Sequence, residues 1–214
     1  MQSIKANIES IRAGLPAGVT LVCVSKFHPA EAIMEAYEAG ERDFGESRVQ
    51  ELCAKQAVLP SDIRWHFIGH LQTNKVRQII PFVHLIQSVD SERLLDVIEA
   101  EAARINRVVD VLLEVHVAHE ETKSGFAIEE LDDVWPRRNQ WPHVHIAGLM
   151  TMATNTDDEA EIHRCFRTLR DIASAHGMSD KILSYGMSDD YLLAIEDGSN
   201  MVRIGSSIFG ERVY

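Results

Sequence analysis

The chain has 214 residues, enough for a full hydrophobic core, and its 45% hydrophobic and 25% charged residues are typical of a globular protein in water. Its formal charge of −12 argues against a non-specific grip on nucleic acid phosphates. Three scattered cysteines without a CxxC pair indicate reduced thiols and not a disulfide framework. The first residues lack the apolar centre of a signal peptide, and no apolar run could span a bilayer. We therefore expect a cytoplasmic protein with no nucleic acid or membrane partner.

Eight short apolar runs, each ending in small or polar residues, alternate with segments of helical periodicity. The runs are 21–26, 42–47, 64–70, 84–90, 108–117, 143–151, 181–188 and 201–207. Strands that alternate with helices predict parallel βαβ units, and eight units fit a closed (β/α)₈ TIM barrel. A doubly wound open sheet is the alternative, but its GxGxxG signature is absent after the first run.

The segments between the runs contain helix signals. Residues 2–14 predict an extra N-terminal helix outside the barrel, and Ser91 is a plausible N-cap. After the sixth run, Thr156 and Glu159 have the form of a capping box, and Gly177 stands where that helix should stop. No linker rich in Pro, Gly or Ser divides the chain. We expect one barrel domain over residues 1–214.

The first run places a lysine where a buried strand should end. In "LVCVSK", Lys26 shares one face with Val22 and Val24. Burial of an unpaired lysine favours its neutral form, which is the form that condenses with an aldehyde. The alternative is an ordinary strand-end lysine whose ammonium group snorkels into water.

The loops after the seventh and eighth runs have the composition of a phosphate site. TIM barrels often hold phosphate between these two loops, with backbone N–H groups and a helix N-terminus. Ser188 follows the seventh run, where it could cap a helix and also donate to phosphate, and Gly205 and Ser206 belong to the eighth. The alternative is that these are turn and capping residues with no ligand.

An aldehyde-reactive lysine and a phosphate site at one barrel mouth describe a site for a phosphorylated aldehyde, and pyridoxal 5′-phosphate (PLP) is the obvious candidate. Arg203 shares the strand face of Gly205 and could donate to the pyridine nitrogen. Because arginine keeps its own proton, it would leave that nitrogen unprotonated. The alternative for Arg203 is a barrel-wall arginine paired with an acidic neighbour.

The sequence closely resembles the YggS/PROSC family of pyridoxal phosphate homeostasis proteins from about residue 21 onward. The matching motifs are "VSK" (24–26), "FGES" (44–47), "VQEL" (49–52), "WHFIGHLQTNK" (65–75), "SVD" (88–90), "ETKSGF" (121–126), "GLMTM" (148–152), "GMSDDY" (186–191) and "VRIGSSIFG" (202–210). The resemblance implies a PLP-binding barrel, with Lys26 as the Schiff-base residue. It also implies Ser188, Gly205 and Ser206 at the phosphate, Arg203 near the pyridine nitrogen and Ser184 near the cofactor.

Three positions depart from the family pattern. Ser47 stands where the family often has Asn, Tyr185 where it usually has Met, and Ser206 where Thr is common. The barrel also resembles the N-terminal domain of alanine racemase and related decarboxylases, which carry a second, β-rich domain. The chain ends at Tyr214, just after the eighth run, so we expect that domain to be absent. Tyr185 is the one residue that could act as a second acid or base in racemisation.

Histidines raise the question of a metal site. His143 and His145 form an HxH pair, but they start the sixth run and should lie at the barrel floor, away from the chemistry. His116 and His119 flank the end of the fifth run without an evident third ligand. We expect no metal and no catalytic residue.

The resemblance thus implies a protein that binds PLP on Lys26 and serves PLP homeostasis or carriage, with apo PLP-dependent enzymes as recipients. We expect a monomer, because no long amphipathic helix or apolar excess is left over once the barrel is built. The alternatives are a minimal PLP-dependent racemase or decarboxylase, a Schiff-base aldolase acting on a sugar phosphate, and an interaction scaffold.

Overall fold

The computed structural model describes residues 3–117 and 124–210, in which eight parallel strands form a closed barrel surrounded by helices. The strands are β1 (Thr20–Val24), β2 (Asp43–Glu46), β3 (Arg64–Phe67), β4 (Leu85–Val89), β5 (Val109–Glu114), β6 (Val144–Met150), β7 (Ile182–Ser184) and β8 (Met201–Ile204). Seven of them lie inside the predicted apolar runs, and β1 begins one residue before the run 21–26, which confirms the predicted barrel. β1 closes the barrel by pairing with β8, with Val22 opposite Arg203.

The helices lie outside the strands. They are α1 (Ile4–Gly14), α2 (Ala30–Glu38), α3 (Val49–Gln56), α4 (Val76–Ile79), α5 (Glu92–Arg104), α6 (Ile128–Val134), α7 (Glu159–Ala175), α8 (Tyr191–Glu196) and α9 (Ser206–Phe209). Among the described residues, none of these helices is both long and apolar enough to cross a membrane.

The barrel strands are buried on both faces, as expected for a parallel sheet covered by helices. On β1, Leu21 and Cys23 join the large cluster between strands and helices. Val22 instead belongs to a second cluster inside the barrel, with Leu112 and Met201. The side chains of β1 therefore alternate, with Val22 inside the barrel and Leu21 and Cys23 facing the helices.

The extra N-terminal helix is confirmed as α1. Ser3 caps it by accepting a hydrogen bond from the Ala6 N–H at 3.2 Å, and Ile8 and Ile11 are buried. Asn7 donates from Nδ2 to the carbonyl oxygen of Ile208 at 2.9 Å. The first helix is therefore bonded to α9 at the end of the barrel.

Two of the three helix-end signals are correct. α5 begins directly after Ser91, and Gly177, with φ of 68°, follows the end of α7. The Thr156–Glu159 capping box is wrong, because Asp158 is the N-cap and accepts from the Ala160 N–H at 3.0 Å. Thr156 instead accepts a hydrogen bond from the Asp158 N–H at 3.1 Å.

Candidate functional site at the carboxyl ends of the strands

Lys26 lies two residues beyond β1 and is half-buried. The carbonyl of the preceding residue, Ser25, accepts a hydrogen bond from Lys55 Nζ at 2.9 Å. Lys55 Nζ also donates to Glu46 at 2.7 Å, and the Ser25 hydroxyl donates to the same carboxylate oxygen at 2.6 Å. Burial raises the pKa of Glu46, although the charge of Lys55 opposes the rise. A buried ion pair therefore holds the backbone just before Lys26.

The residue after Lys26 is held as well. Phe27 has φ of 68°, a left-handed conformation that is unusual for a large side chain. Its N–H donates to Glu51 Oε1 at 2.7 Å, and Lys55 Nζ donates to that same oxygen at 2.7 Å. The strained turn is thus bonded to α3, which fixes the direction in which the chain leaves β1 at Lys26.

Arg203 is buried on β8, and its guanidinium donates to neutral oxygens. NH1 donates to the Ser184 hydroxyl at 2.6 Å and to the Ser184 carbonyl at 2.9 Å, and NH2 donates to the Thr151 carbonyl at 3.1 Å. Burial lowers the pKa of Arg203 to about 10, and the charge of Glu114 opposes part of that shift. Among the residues that the structure describes, none of these hydrogen bonds goes to an acidic side chain, which argues against an arginine paired directly with an acidic neighbour.

Ser184 connects Arg203 to a polar group that the sequence had not singled out. The Ser184 hydroxyl donates to Gln87 Oε1 at 2.7 Å, and both residues are buried. Gln87 lies on β4, where it contacts His66 Nδ1 through Nε2 at 2.9 Å. A buried glutamine inside the apolar run "HLIQSVD" is the signal that could have identified it.

The loops after β7 and β8 meet at the predicted serine. Ser188 Oγ accepts from the Gly205 N–H at 3.3 Å and from the Ser207 N–H at 3.5 Å. A Cβ at Gly205 would lie 3.2 Å from the carbonyl oxygen of Val24, so this glycine allows β8 to approach the end of β1. Ser206 is exposed at the first position of α9. The predicted phosphate residues therefore do come together at one end of the barrel.

Ser188 does not cap a helix, which corrects the sequence-based expectation. Asp190 is the N-cap position of α8, and its carboxylate accepts from the Met187 N–H at 2.5 Å. Gly186 precedes this turn with φ of 95°, and a Cβ there would lie 2.6 Å from the Ala194 side chain. The turn consequently needs glycine, and Ser188 is left to bridge to the loop after β8.

A carboxyl group also faces the barrel mouth. Glu114 ends β5, two residues after the interior Leu112, and only 4% of its surface is exposed. Burial raises the pKa of Glu114 to about 7, with Asp90 adding to the rise and Arg203 opposing it. This carboxyl was not identified from the sequence, because the charges that act on it, Asp90 and Arg203, lie far from it in the sequence.

Tyr185 lies away from the barrel interior. It is fully buried among the residues between strands and helices, its ring stacks on Phe166 at 4.8 Å, and its hydroxyl donates to the Asp197 carbonyl at 2.9 Å. The Tyr185 side chain therefore points outward, away from the barrel mouth where a second acid or base would have to act.

The HxH pair lies at the floor of the barrel, as expected, but its members face different partners. His143 contacts Glu99 and His145 contacts Asp110, each at 2.7 Å. His119 lies outside the described residues. Within the described ranges, the one group of three potential metal ligands is Asp43, His66 and His84.

This floor cluster already contains a cation. Both carboxylate oxygens of Asp43 accept hydrogen bonds from Arg64, and Oδ1 also contacts His66 Nε2 at 3.0 Å. Burial would raise the pKa of Asp43, but the hydrogen bonds from Arg64 and His66 lower it below its usual value. The guanidinium thus occupies the side of the carboxylate that a metal ion would need.

Comparisons with known proteins identify the family of this chain. The family model described as "Alanine racemase, N-terminal domain" matches residues 1–213. The pyridoxal phosphate homeostasis protein of Aquifex aeolicus is 41% identical and covers 91% of this chain and 87% of its own. The protein of that name from Schizosaccharomyces pombe is 35% identical and covers 99% and 94%. The chain belongs to the family of pyridoxal phosphate homeostasis proteins.

Solved structures of the homeostasis family share the whole barrel. The PipY protein of Synechococcus elongatus without PLP superposes with a TM-score of 0.92 at 38% identity, covering 97% of this chain and 100% of that one. PipY with PLP bound gives a TM-score of 0.89 at 37% identity over the same shares. An alanine racemase from Clostridium difficile, at 14% identity and a TM-score of 0.82, shares the fold over 56% of its length.

Proposed function

We propose that this protein binds PLP, holds it as a Schiff base on Lys26, and serves intracellular PLP homeostasis and carriage. The observation that carries the proposal is the convergence, at one end of the barrel, of a lysine at β1, a buried guanidinium at β8 and a Ser188–Gly205 bridge between the last two loops. The PLP-bound PipY structure supports the choice of ligand.

The residues at the mouth fit the chemical groups of PLP. Lys26 supplies an amine for the aldehyde, and the hydroxyls of Ser188 and Ser206 with the Gly205 N–H suit a phosphate. Bound PLP supplies an electrophilic carbon and an electron-withdrawing ring. Arg203 can only donate hydrogen bonds, so it would keep the ring nitrogen unprotonated and the ring a weaker electron sink than a carboxylate partner would. Such a ring suits storage better than turnover.

The alternative is a minimal PLP-dependent racemase or decarboxylase of the same fold. Racemisation needs an acid or base on each face of the substrate. Tyr185, the residue considered for the second face, donates its hydroxyl to the Asp197 carbonyl on the outer side of the barrel. This placement favours a non-catalytic carrier. Apo PLP-dependent enzymes as recipients, a monomeric state and a cytoplasmic location complete the proposal.

Borohydride reduction after incubation with PLP, followed by peptide mass spectrometry, tests the attachment. We expect a pyridoxyl-phosphate adduct on Lys26 in the wild type and in Lys75→Ala, which removes another lysine near the mouth, and no adduct at position 26 in Lys26→Ala. An unmodified Lys26 in excess PLP would contradict the proposal and favour the aldolase and scaffold alternatives. Conversion of one alanine enantiomer to the other by the loaded wild type would support the racemase alternative.

A further inference from the structure

A chain of hydrogen bonds crosses the barrel interior below the proposed PLP site. It links Arg203 on β8 to Ser184 on β7 at 2.6 Å, Ser184 to Gln87 on β4 at 2.7 Å, Gln87 to His66 on β3 at 2.9 Å, and His66 to Asp43 at the start of β2 at 3.0 Å. All five residues are buried. The chain therefore joins the mouth of the barrel to its floor.

The two ends of this hydrogen-bond network fix the direction of its terminal bonds, and the Gln87 amide connects them. Arg203 can only donate, so the Ser184 oxygen accepts from it and the single Ser184 proton is available for Gln87 Oε1. At the other end, Arg64 keeps Asp43 ionised, so the carboxylate can only accept and His66 must carry its proton on Nε2. With Gln87 Oε1 accepting from Ser184, Gln87 Nε2 is left to donate, and His66 Nδ1 is its acceptor.

A contact outside the chain supports the same orientation of the Gln87 amide. Gln87 Nε2 lies 3.3 Å from the sulfur of Met201, which is a weak acceptor and not a donor. With the amide reversed, Gln87 Oε1 would face this sulfur and the bare Nδ1 of His66, and the Ser184 proton would lose its acceptor. The three contacts of the amide thus agree on one arrangement.

We propose that Gln87 and His66 are positioning residues that fix the Ser184 hydroxyl as the acceptor for Arg203, and so set how Arg203 faces the ring nitrogen of PLP. This inference rests on the proposed function for the identity of the ligand. His66 and Asp43 at the barrel floor would then influence the electronic state of PLP at the mouth. The reason is that the direction of each buried hydrogen bond depends on the direction of the next one.

The tautomer of His66 can be measured in the PLP-free protein by ¹⁵N NMR of the histidine rings. We expect a protonated Nε2 and a bare Nδ1 for His66 at neutral pH, with the resonances assigned by loss in His66→Gln. The His84→Asn variant is the control. The His84 ring packs edge-on against His66, with ring centroids 5.5 Å apart, but His84 does not belong to the series of hydrogen bonds from Arg203 to Asp43. A proton on Nδ1 in the wild type would overturn the proposal.

The variant Gln87→Glu is nearly the same size and sharpens this test. Its carboxylate can still accept from Ser184 but cannot donate to His66. The His66 ring should then carry protons on both nitrogens, between the new carboxylate and Asp43. If the ring keeps the wild-type pattern in a folded variant whose infrared spectrum shows an ionised carboxylate at position 87, the Gln87–His66 bond does not exist and the proposal fails.

The effect on PLP is measured by the pyridine ¹⁵N shift of bound, labelled PLP. We expect Gln87→Leu and Ser184→Ala to move this shift in the same direction, and Gln87→Leu to raise the PLP dissociation constant about threefold to tenfold, as loss of one hydrogen bond does. Because Gln87 acts through Ser184, the double variant should show no further shift. Independent, additive shifts, or no shift in Gln87→Leu, would overturn the proposal.

The two proposals fail in different ways. Absence of an adduct on Lys26 would refute the attachment while leaving the His66 tautomer in the PLP-free protein to test the chain of hydrogen bonds. A reversed His66 tautomer with normal Lys26 labelling would refute the positioning role alone.

Discussion

Lys55 Nζ lies 2.9 Å from the carbonyl oxygen of Ser25, the residue directly before Lys26. The same ammonium group pairs with Glu46 and with Glu51, so one buried charge holds both the end of β1 and the start of α3. One carboxylate oxygen of Glu46, Oε2, is buried without a hydrogen-bond partner among the described residues. Glu46 therefore depends on Lys55 for most of its compensation.

Replacing Lys55 by Met should destabilise the protein strongly. The change leaves the Glu46 carboxylate buried without its counter-ion, which costs about 3–5 kcal/mol in comparable cases. Urea unfolding measures the free energy, and borohydride labelling should also show less adduct at Lys26. The double variant Glu46→Gln/Lys55→Met should recover most of the loss, because it removes the orphaned charge.

Lys5 provides the matched control, since its pair with Glu9 is exposed and 3.9 Å long. Lys5→Met should change the unfolding free energy by less than about 1 kcal/mol. An equal effect of the two lysine substitutions would show that the buried pair has no special role.

Glu114 should make the stability fall as the pH rises. Its pKa is raised by burial from 4.5 to about 7, so between these values the folded protein holds a proton that the unfolded chain has released. The folded state binds more protons, and the unfolding free energy therefore decreases with pH across this window. Urea unfolding at about pH 5 and about pH 8 measures this decrease in the unfolding free energy. The decrease should be smaller in Glu114→Gln than in the wild type by about 2–3 kcal/mol. Gln substitution of the exposed Glu129 should leave the decrease unchanged, and an identical pH dependence in wild type and Glu114→Gln would contradict the assignment.

Ser188→Ala should weaken the binding of PLP but not of pyridoxal, which lacks the phosphate. The hydroxyl of Ser188 bridges the Gly205 and Ser207 N–H groups at the proposed phosphate position. Loss of a hydrogen bond to a charged group costs about 1.5–3 kcal/mol, so the PLP dissociation constant should rise at least about tenfold. Fluorescence titration with both ligands separates the effects, and Ser61→Ala, at an exposed position, is the control. A parallel loss for both ligands would place Ser188 elsewhere in the site.

Tyr185→Phe should lower stability without touching the site. The variant removes the hydrogen bond from the Tyr185 hydroxyl to the Asp197 carbonyl, a loss of about 1 kcal/mol, and keeps the ring stacked on Phe166. Adduct formation on Lys26 should be unchanged by mass spectrometry. Loss of the adduct in a stably folded Tyr185→Phe would mean that the phenol reaches the barrel mouth after all.

Much of the barrel could be predicted from the alternation of apolar runs with segments of helical periodicity. Each of the eight apolar runs overlaps one strand, but most runs extend beyond the end of the strand, most clearly the run 181–188 for Ile182–Ser184. The strand ends early because the backbone turns at Gly186, with φ of 95°. The Met187 N–H then donates to the Asp190 carboxylate within the loop. The sequence does not distinguish the N-cap Asp158 from Thr156, because Thr156–Glu159 and Asp158–Glu161 have the same capping-box spacing two positions apart.

The site could be predicted only in part. Residues at the end of a strand, such as Lys26 and Ser188, follow from the topology, because all strands of the barrel end at one face. The roles of Gln87 and Lys55 cannot be predicted in this way, because they depend on hydrogen-bond partners that are distant in the sequence. Ser184 is 97 positions from Gln87, and Ser25 is 30 positions from Lys55. Pairings at such separations leave no periodic pattern in one sequence.

The pairing of β1 with β8 has a consequence for synthesis on the ribosome. Thr20 and Leu21 find their ladder partners, Met201 and Val202, at the far end of the chain. Until those residues have emerged, the nascent sheet keeps an open edge along β1, and an unpaired strand edge is a template for association with other chains. Buried polar groups such as Gln87, whose partners include Ser184 on β7, stay unsatisfied over the same interval. Synthesis of β8, the last strand of the barrel in the sequence, thus ends the exposure of this open edge to aggregation.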